Sequence, residues 1–426
     1  MIIFAMFLVL VVLVLINVPI AIALAVVASV AMVVAQGPGI LPNVALVMMD
    51  GATNFPLIAI PLFILAGAIM NASGISRRLI AFASALLGFI RGGLSMVTVG
   101  ASMFFAEISG SAVADVAALG SILIPAMKRK GYPLPFATAV TSSAATLAVI
   151  IPPSIPMILY AVMAQSSVVQ LFVAGVIPGI LGGLGMMGVC YWFARRHDYP
   201  IEETFQLPRL WATFKEASLA FTLPIIILGG IFGGFVTATE GAGLAVAASL
   251  IIGLIYRELD LAHLKEAIID GGVQTAVVML LVAASVLIGV FLTEAQVPQT
   301  LAAGISDFTQ NKYVVLALLN VFFLVIGLFL HSAAAIILVV PIVMPLVNQV
   351  GIDPVHFGLI VTLNLGIGQQ TPPVASVLVT ACSVAKADIW EVSKVNIYFI
   401  GVLFVILMMV TYVPAIPMSL VEFFYR

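Results

Sequence analysis

Apolar positions along the 426 residues do not alternate with polar ones but run on without interruption, and segments 1–35, 171–193 and 395–413 carry no charged residue at all. About 20 such residues suffice for a helix to cross the hydrocarbon core of a bilayer. Lipid leaves only helices and closed barrels viable, because each spanning structure must satisfy its own backbone hydrogen bonds. A barrel would show ten-residue segments with alternating polar faces, which these runs lack. The pattern therefore predicts an all-α polytopic membrane protein. Thirty-five helical residues would measure about 52 Å, too long for one upright crossing, and Asn17 with Pro19 marks the expected bend.

Polar breaks fall at 71–78, 128–135, 195–215, 256–270, 306–312, 348–356 and 386–394. The longest, 195–215, carries Arg195, Arg196, His197, Asp198, Glu202, Glu203 and Arg209 and reads as a cytoplasmic loop or surface helix. No break is long enough to be a soluble domain.

The breaks expose an internal repeat. With each residue n set beside n+220, Pro125 falls on Pro345, Gly131 on Gly351, and Pro152-Pro153 on Pro372-Pro373. Upstream the offset becomes 222, where Gly67, Ile75 and Leu79 meet Gly289, Val297 and Leu301. Each half thus holds a span, a short interfacial arm, a hydrophobic hairpin and a helix interrupted by Pro-Pro. The charges do not repeat. Arg77, Arg78, Lys128, Arg129 and Lys130 stand opposite Gln299, Thr300, Asn348, Gln349 and Val350. Cytoplasmic loops carry an excess of Lys and Arg, so equivalent loops are expected on opposite sides of the membrane, the inverted-repeat arrangement of secondary transporters.

Two kinds of position could carry chemistry. Ser109, Gly110 and Ser111 sit mid-hairpin, flanked by apolar stretches read as about 12 to 16 residues, short of a full span. A re-entrant hairpin is expected there, with a second tip at Leu330-His331-Ser332-Ala333. Each tip has a partner in a Pro-Pro break, at Pro152-Pro153-Ser154 and at Gly366-Ile367-Gly368-Gln369-Gln370-Thr371-Pro372-Pro373. Proline removes a backbone donor and clashes with the preceding turn, so paired prolines unwind a helix and release carbonyls. A hairpin tip meeting an unwound helix, twice, is the construction expected of two Na⁺ sites with oxygen ligands. For a lone Ser-Gly-Ser the plainer reading is close helix packing; the repeat is what favours a site.

Composition narrows the rest. Only 8% of residues are charged and 63% hydrophobic, with a mean hydropathy of +1.28. Charged groups inside the membrane are costly; Glu107 and Asp115 flank the first tip and are expected to brace it, the alternative for Glu107 being to face the solute path, while Glu240 and Glu294 suit interfacial positions and His331 suits a cap or, with a pKa near neutrality, a proton carrier. The N-terminus lacks a basic leader and reads as mature structure. Cys190 and Cys382 lie in apolar segments as small buried hydrophobes, and the four His are too scattered to ligate a metal. No phosphate loop, dinucleotide fingerprint or basic aromatic surface is present, so neither an enzyme nor a nucleic-acid binder is expected.

At these residues the chain resembles the large membrane subunit of tripartite ATP-independent periplasmic (TRAP) transporters. The stretches that carry the likeness are 104–114 (FFAEISGSAVA), 120–127 (GSILIPAM), 237–240 (TATE), 351–358 (GIDPVHFG) and 371–374 (TPPV). One departure stands at the second tip, where the family often has an acidic residue followed by Pro and this chain has His331-Ser332. The resemblance implies a Na⁺-driven importer of the bacterial inner membrane working by an elevator motion, with Na⁺ as coupling ion and no cofactor. Its partners would be a small four-helix membrane subunit and a periplasmic solute-binding protein delivering a small carboxylate of the sialic acid or C4-dicarboxylate class. It implies Na⁺ ligation around Ser109, Gly110, Ser111, Thr146 and Ile151, and around Ser332, Gly366, Gly368 and Thr371. Ser111, Ser154, Ser332 and Gln369 would face the solute. The expected division is scaffold at 1–70, a first transport unit at 71–170, central scaffold at 171–270, a second transport unit at 271–394 and a last span at 395–426. A single-component Na⁺/anion symporter and a non-transporting membrane scaffold are the alternatives.

Overall fold

The computed structural model describes residues 2–16, 18–201, 204–372 and 375–425, which fold as helices joined by short turns. Among them no sheet forms; Arg91 and Ile201 make one isolated antiparallel bridge. The expected N-terminal break is present, with helices Ile2–Leu15 and Ile20–Gln36 on either side of it. Asn17 itself, like Glu202, Glu203, Pro373 and Val374, lies outside the described residues. Eight helices among the described residues are long and apolar enough to cross a membrane: Phe55–Ala72, Val168–Arg196, Leu207–Phe232, Ala238–Tyr256, Leu261–Glu294, Lys312–Phe329, Ser332–Gln349 and Ile389–Tyr412. Large apolar side chains such as Val30, Ile225, Leu254, Val277, Val321 and Val405 point outward, a surface suited to lipid rather than water.

The repeat is visible in the helix boundaries. Ala112–Arg129 and Ser332–Gln349 begin and end 220 positions apart, and the helices that follow start at Leu134 and Pro354 with the same offset. Between each pair the chain turns through a glycine of positive φ, Gly131 at +88° and Gly351 at +69°. The arms Ile75–Leu87 and Val297–Phe308 are likewise equivalent.

Hairpin length departs from expectation. The helices measure 17 residues for Gly93–Ser109 and 18 each for Ala112–Arg129, Lys312–Phe329 and Ser332–Gln349. Eighteen helical residues cover about 27 Å, close to the roughly 30 Å of a bilayer core. The stretches read as 12 to 16 residues were too short because helix persists through the polar residues flanking each apolar run.

Several charged groups serve the fold. Thr237 and Glu240 form a capping box that starts helix Ala238–Tyr256, and Glu294 accepts a hydrogen bond from Gln36 Nε2 at 2.7 Å. Glu258 receives Arg78 and Arg77 at 2.7 Å each, and Arg78 also lies 3.8 Å from the Tyr256 ring centre. These hydrogen bonds, that from Arg78 first, hold the Glu258 carboxyl below the usual carboxylate range. The first arm is thereby tied to the loop before Leu261–Glu294.

Candidate functional site

The first hairpin tip is seated on the first interrupted helix. Helix Leu134–Ala145 runs into a 3₁₀ turn, Thr146–Val149, stops, and resumes as Ile155–Met163 after Pro152-Pro153. The Gly110 carbonyl accepts the Ile155 N–H at 3.3 Å. Gly110 adopts φ +59°, and a Cβ there would stand 2.9 Å from Pro153 O. Both the turn and the close approach therefore require glycine.

Hydroxyls crowd the same place, most already engaged. Ser109 Oγ donates a short hydrogen bond to Asp115 Oδ1 and accepts the Ser111 N–H at 3.2 Å. Ser111 caps Ala112–Arg129, its Oγ accepting from Ala114 N at 3.5 Å. Ser154 Oγ donates to Val149 O at 2.8 Å inside the break. Asp115 is 1% exposed and braces the tip, as expected, through one oxygen, while its Oδ2 has no hydrogen-bond partner. Glu107 is half-buried one turn before the tip.

In the second half the contact between hairpin and break is tighter. A Cβ on Gly368 would stand 2.4 Å from the Gly327 carbonyl carbon, so helix Lys312–Phe329 and the end of Pro354–Gly368 touch backbone to backbone. His331 takes the capping role expected of it, its Nδ1 accepting from Ala333 N at 3.4 Å. Ser332 is buried at the start of its helix. Thr371 Oγ1 donates to Ile367 O at 2.9 Å. Gln369 is buried, and its Nε2 donor has no partner.

Thr146, which the resemblance implies as a Na⁺-binding position, has its hydroxyl hydrogen-bonded by Gln370 Nε2 of the second break. The structure thus brings Ser109, Gly110 and Ser154 together at one tip and Gly327 and Gly368 together in the other half, with Thr146 joining the halves. Ile151 is buried beneath Gly179 of Val168–Arg196, where a Cβ would stand 2.5 Å from Ile151 Cγ1. Among the described residues no group of three or more His, Cys, Asp and Glu could hold a metal; the oxygens at this place are hydroxyls, carbonyls and the unpartnered Asp115 Oδ2, a donor set suited to hard ions.

Sequence reasoning missed the buried amides. Asn364 Nδ2 donates to Asn320 Oδ1 at 2.7 Å, and Asn320 Nδ2 donates to Thr411 Oγ1 at 3.2 Å. Ser142, Ser143, Gln370 and Asn396 form a second set around Thr146. A lone Asn within an apolar run is itself a signal, since polar side chains in membrane helices bond across helices.

Comparison with known proteins agrees with this architecture. Residues 7–416 match the family described as tripartite ATP-independent periplasmic transporter, DctM component. The isethionate TRAP transporter permease protein DctMQ of Oleidesulfovibrio alaskensis is 42% identical over 393 residues, 92% of this chain and 62% of that protein; the chain thus spans less than two thirds of that relative's length. The C4-dicarboxylate TRAP transporter large permease protein DctM of Pseudomonas aeruginosa is 37% identical over 384 residues, 90% of each chain. Among solved structures, the YdaH transporter of Alcanivorax borkumensis superposes with a TM-score of 0.60 over 88% of both chains at 15% identity, a likeness of fold alone. The chain belongs to the DctM component family of TRAP transporters, permease subunits rather than enzymes, and is a multi-pass protein of the inner membrane.

Proposed function

We propose that this chain is the solute-moving subunit of a Na⁺-coupled importer for a small organic anion. The observation that carries the reading is the seating of the first tip in the first break, with Gly110 O and Ile155 N 3.3 Å apart. A turn in contact with unwound helix concentrates free carbonyls and hydroxyls in one buried place, and such irregular backbone at membrane depth is tolerated only in protein or around an aqueous cavity. On this reading the hairpins are re-entrant despite the near-span length of their 17- and 18-residue helices, their tips ending at the interrupted helices inside the protein rather than at the far face, and the two halves are inverted. Ser109, Gly110, Ser111, Thr146 and Ile151 surround one ion, and Ser332, Gly366, Gly368 and Thr371 the other. Ser111, Ser154, Ser332 and the unpaired Gln369 amide face the solute. The name of the first relative extends the solute class from carboxylates to a sulfonate.

The hairpins and interrupted helices form the moving part, and spans 1–70 with Leu207–Phe232, Ala238–Tyr256 and Leu261–Glu294 form the scaffold. Val168–Arg196, grouped with the scaffold on sequence, travels with the moving part on this reading. Its buried face lies on Ile150, Ile151 and Met103, where Cβ atoms at Gly175, Gly179 and Gly183 would come within 2.3 to 2.5 Å.

A small membrane subunit widens the scaffold and a periplasmic binding protein delivers the solute. Reconstitution tests this: the chain alone, with each partner, and with both, under an inward Na⁺ gradient, with C4-dicarboxylates and isethionate as solutes. Uptake only with both partners and Na⁺ is expected. Robust uptake by the chain alone would promote a single-component symporter, and no flux under any condition would leave a scaffold.

A further inference from the structure

Gln370 is held by both halves of the molecule at once. Its Oε1 accepts from Ser142 Oγ at 2.8 Å and from Asn396 Nδ2 at 3.0 Å. Its Nε2 donates to Ser142 O at 2.9 Å and to Thr146 Oγ1. Its backbone belongs to the second break: the N–H donates to Ile367 O at 3.0 Å, and the carbonyl accepts from Asn396 Nδ2 at 3.2 Å. Asn396 Oδ1 in turn accepts from Ser143 Oγ at 2.6 Å. All five residues are sealed from the surface, where such bonds are geometrically strict because no water can replace them.

The first half makes the same contact without amides. Ile150 is the repeat equivalent of Gln370, and Gly175 of Val168–Arg196 lies against the Ile150 carbonyl as Asn396 of Ile389–Tyr412 lies against the Gln370 carbonyl. There the span lies directly against the break, with a Cβ at Gly175 only 2.3 Å from Ile150 O. Close packing holds the first break, whereas hydrogen bonds hold the second and reach across to Thr146–Val149 of the first. The hydrogen bonds that link the halves are supplied by the second break alone, since Ile150 has no polar side chain with which to make their counterpart.

We propose that Gln370 is a positioning residue that couples the two cation sites. This rests on the sodium reading above. An ion that orders the carbonyls of 366–371 fixes the Gln370 backbone; the side chain then fixes Thr146 and the turn leading into the first break. Ordering done by the first ion need not be repeated for the second, which is positive cooperativity, and the effect is reciprocal.

The test is a Na⁺ titration of the purified full-length chain at constant ionic strength in choline chloride, following thermal unfolding by tryptophan fluorescence. Wild type is expected to gain stability with a Hill coefficient above 1 and at most about 2, the number of sites. In Gln370→Leu the Na⁺ effect persists, the coefficient falls to about 1, and half-saturation moves up roughly 5-fold or more, the scale of ordinary coupling. Asn396→Leu, which frees the Gln370 carbonyl, is expected to lower the coefficient too. Should Gln370→Leu fail to fold, Gln370→Asn, one methylene too short to reach Thr146, carries the same expectation. A purely structural role would lower the Na⁺-free melting temperature and leave the coefficient unchanged, which overturns the coupling alone. No Na⁺ effect on wild type overturns both the coupling and the sodium reading.

Discussion

Thr146 and Gly366 are 220 positions apart and touch each other: a Cβ at 366 would lie 3.1 Å from Thr146 Cγ2. A residue in contact with its own repeat equivalent marks where the two halves meet. The close approach needs a side chain on one partner only. Gly366→Ala is expected to cost about 1–3 kcal/mol through overpacking of a filled core, read as a lower melting temperature. Adding Thr146→Ser, which removes the crowding methyl and keeps the hydroxyl, is expected to recover most of the loss. Additive losses in the double variant would show that the two residues do not press on one another.

Arg129 and Gln349 end equivalent helices, yet only the first carries charge. Single cysteines at the two positions, in a chain whose Cys190 and Cys382 are buried, are expected to react with an impermeant thiol reagent from opposite sides of the membrane. Labelling of both from one side contradicts the inverted arrangement.

Ser111 contributes an oxygen at the first tip and only a long, 3.5 Å cap to Ala114. Ser111→Ala is therefore expected to fold normally and to raise the Na⁺ concentration for half-maximal uptake at least about 5-fold, the effect of losing roughly 1 kcal/mol or more from a buried polar contact. An unchanged Na⁺ dependence would leave Ser111 as a packing residue.

Glu258 anchors the first arm through Arg78 and Arg77, and its carboxyl is held below the usual range chiefly by the Arg78 hydrogen bond. A group with a lowered folded-state pKa stabilises above its unfolded value and loses that contribution as pH falls through the folded one. Glu258→Gln is expected to melt about a degree lower than wild type near neutral pH, the scale of a partly exposed ion pair in a chain of this length. The difference should shrink as pH drops below about 4.3, where an unperturbed Glu protonates. A gap that widens in acid would assign the effect to something other than this carboxylate.

Much of the architecture was legible because lipid makes it so. Pro125 and Pro345 match at an offset of 220, and the helices that hold them begin at 112 and 332 with that same offset; Gly131 and Gly351, matched likewise, both adopt positive φ in equivalent turns. Ser109, Gly110 and Ser154 were legible as a group because hydroxyls and glycine beside a Pro-Pro break are anomalous in an apolar run. Hairpin length was less so, since helix continues through polar residues that a hydropathy count excludes.

By itself the sequence determined the all-helical membrane class, the repeat and the place of each break, because those follow from local chemistry: apolar runs must be helical in lipid, and consecutive prolines interrupt a helix that carries a single proline such as Pro125 or Pro345 without stopping. Only the tertiary structure decided that Thr146 belongs with Gln370, that Asn396 holds the second break while Gly175 backs the first, and that Val168–Arg196 lies on the hairpin and interrupted helix. Gln370 meets Ser142 across 228 positions and Asn396 across 26. Such bonds depend on how packed helices happen to face one another, and nothing in either local sequence encodes the rotation that aims one amide at another.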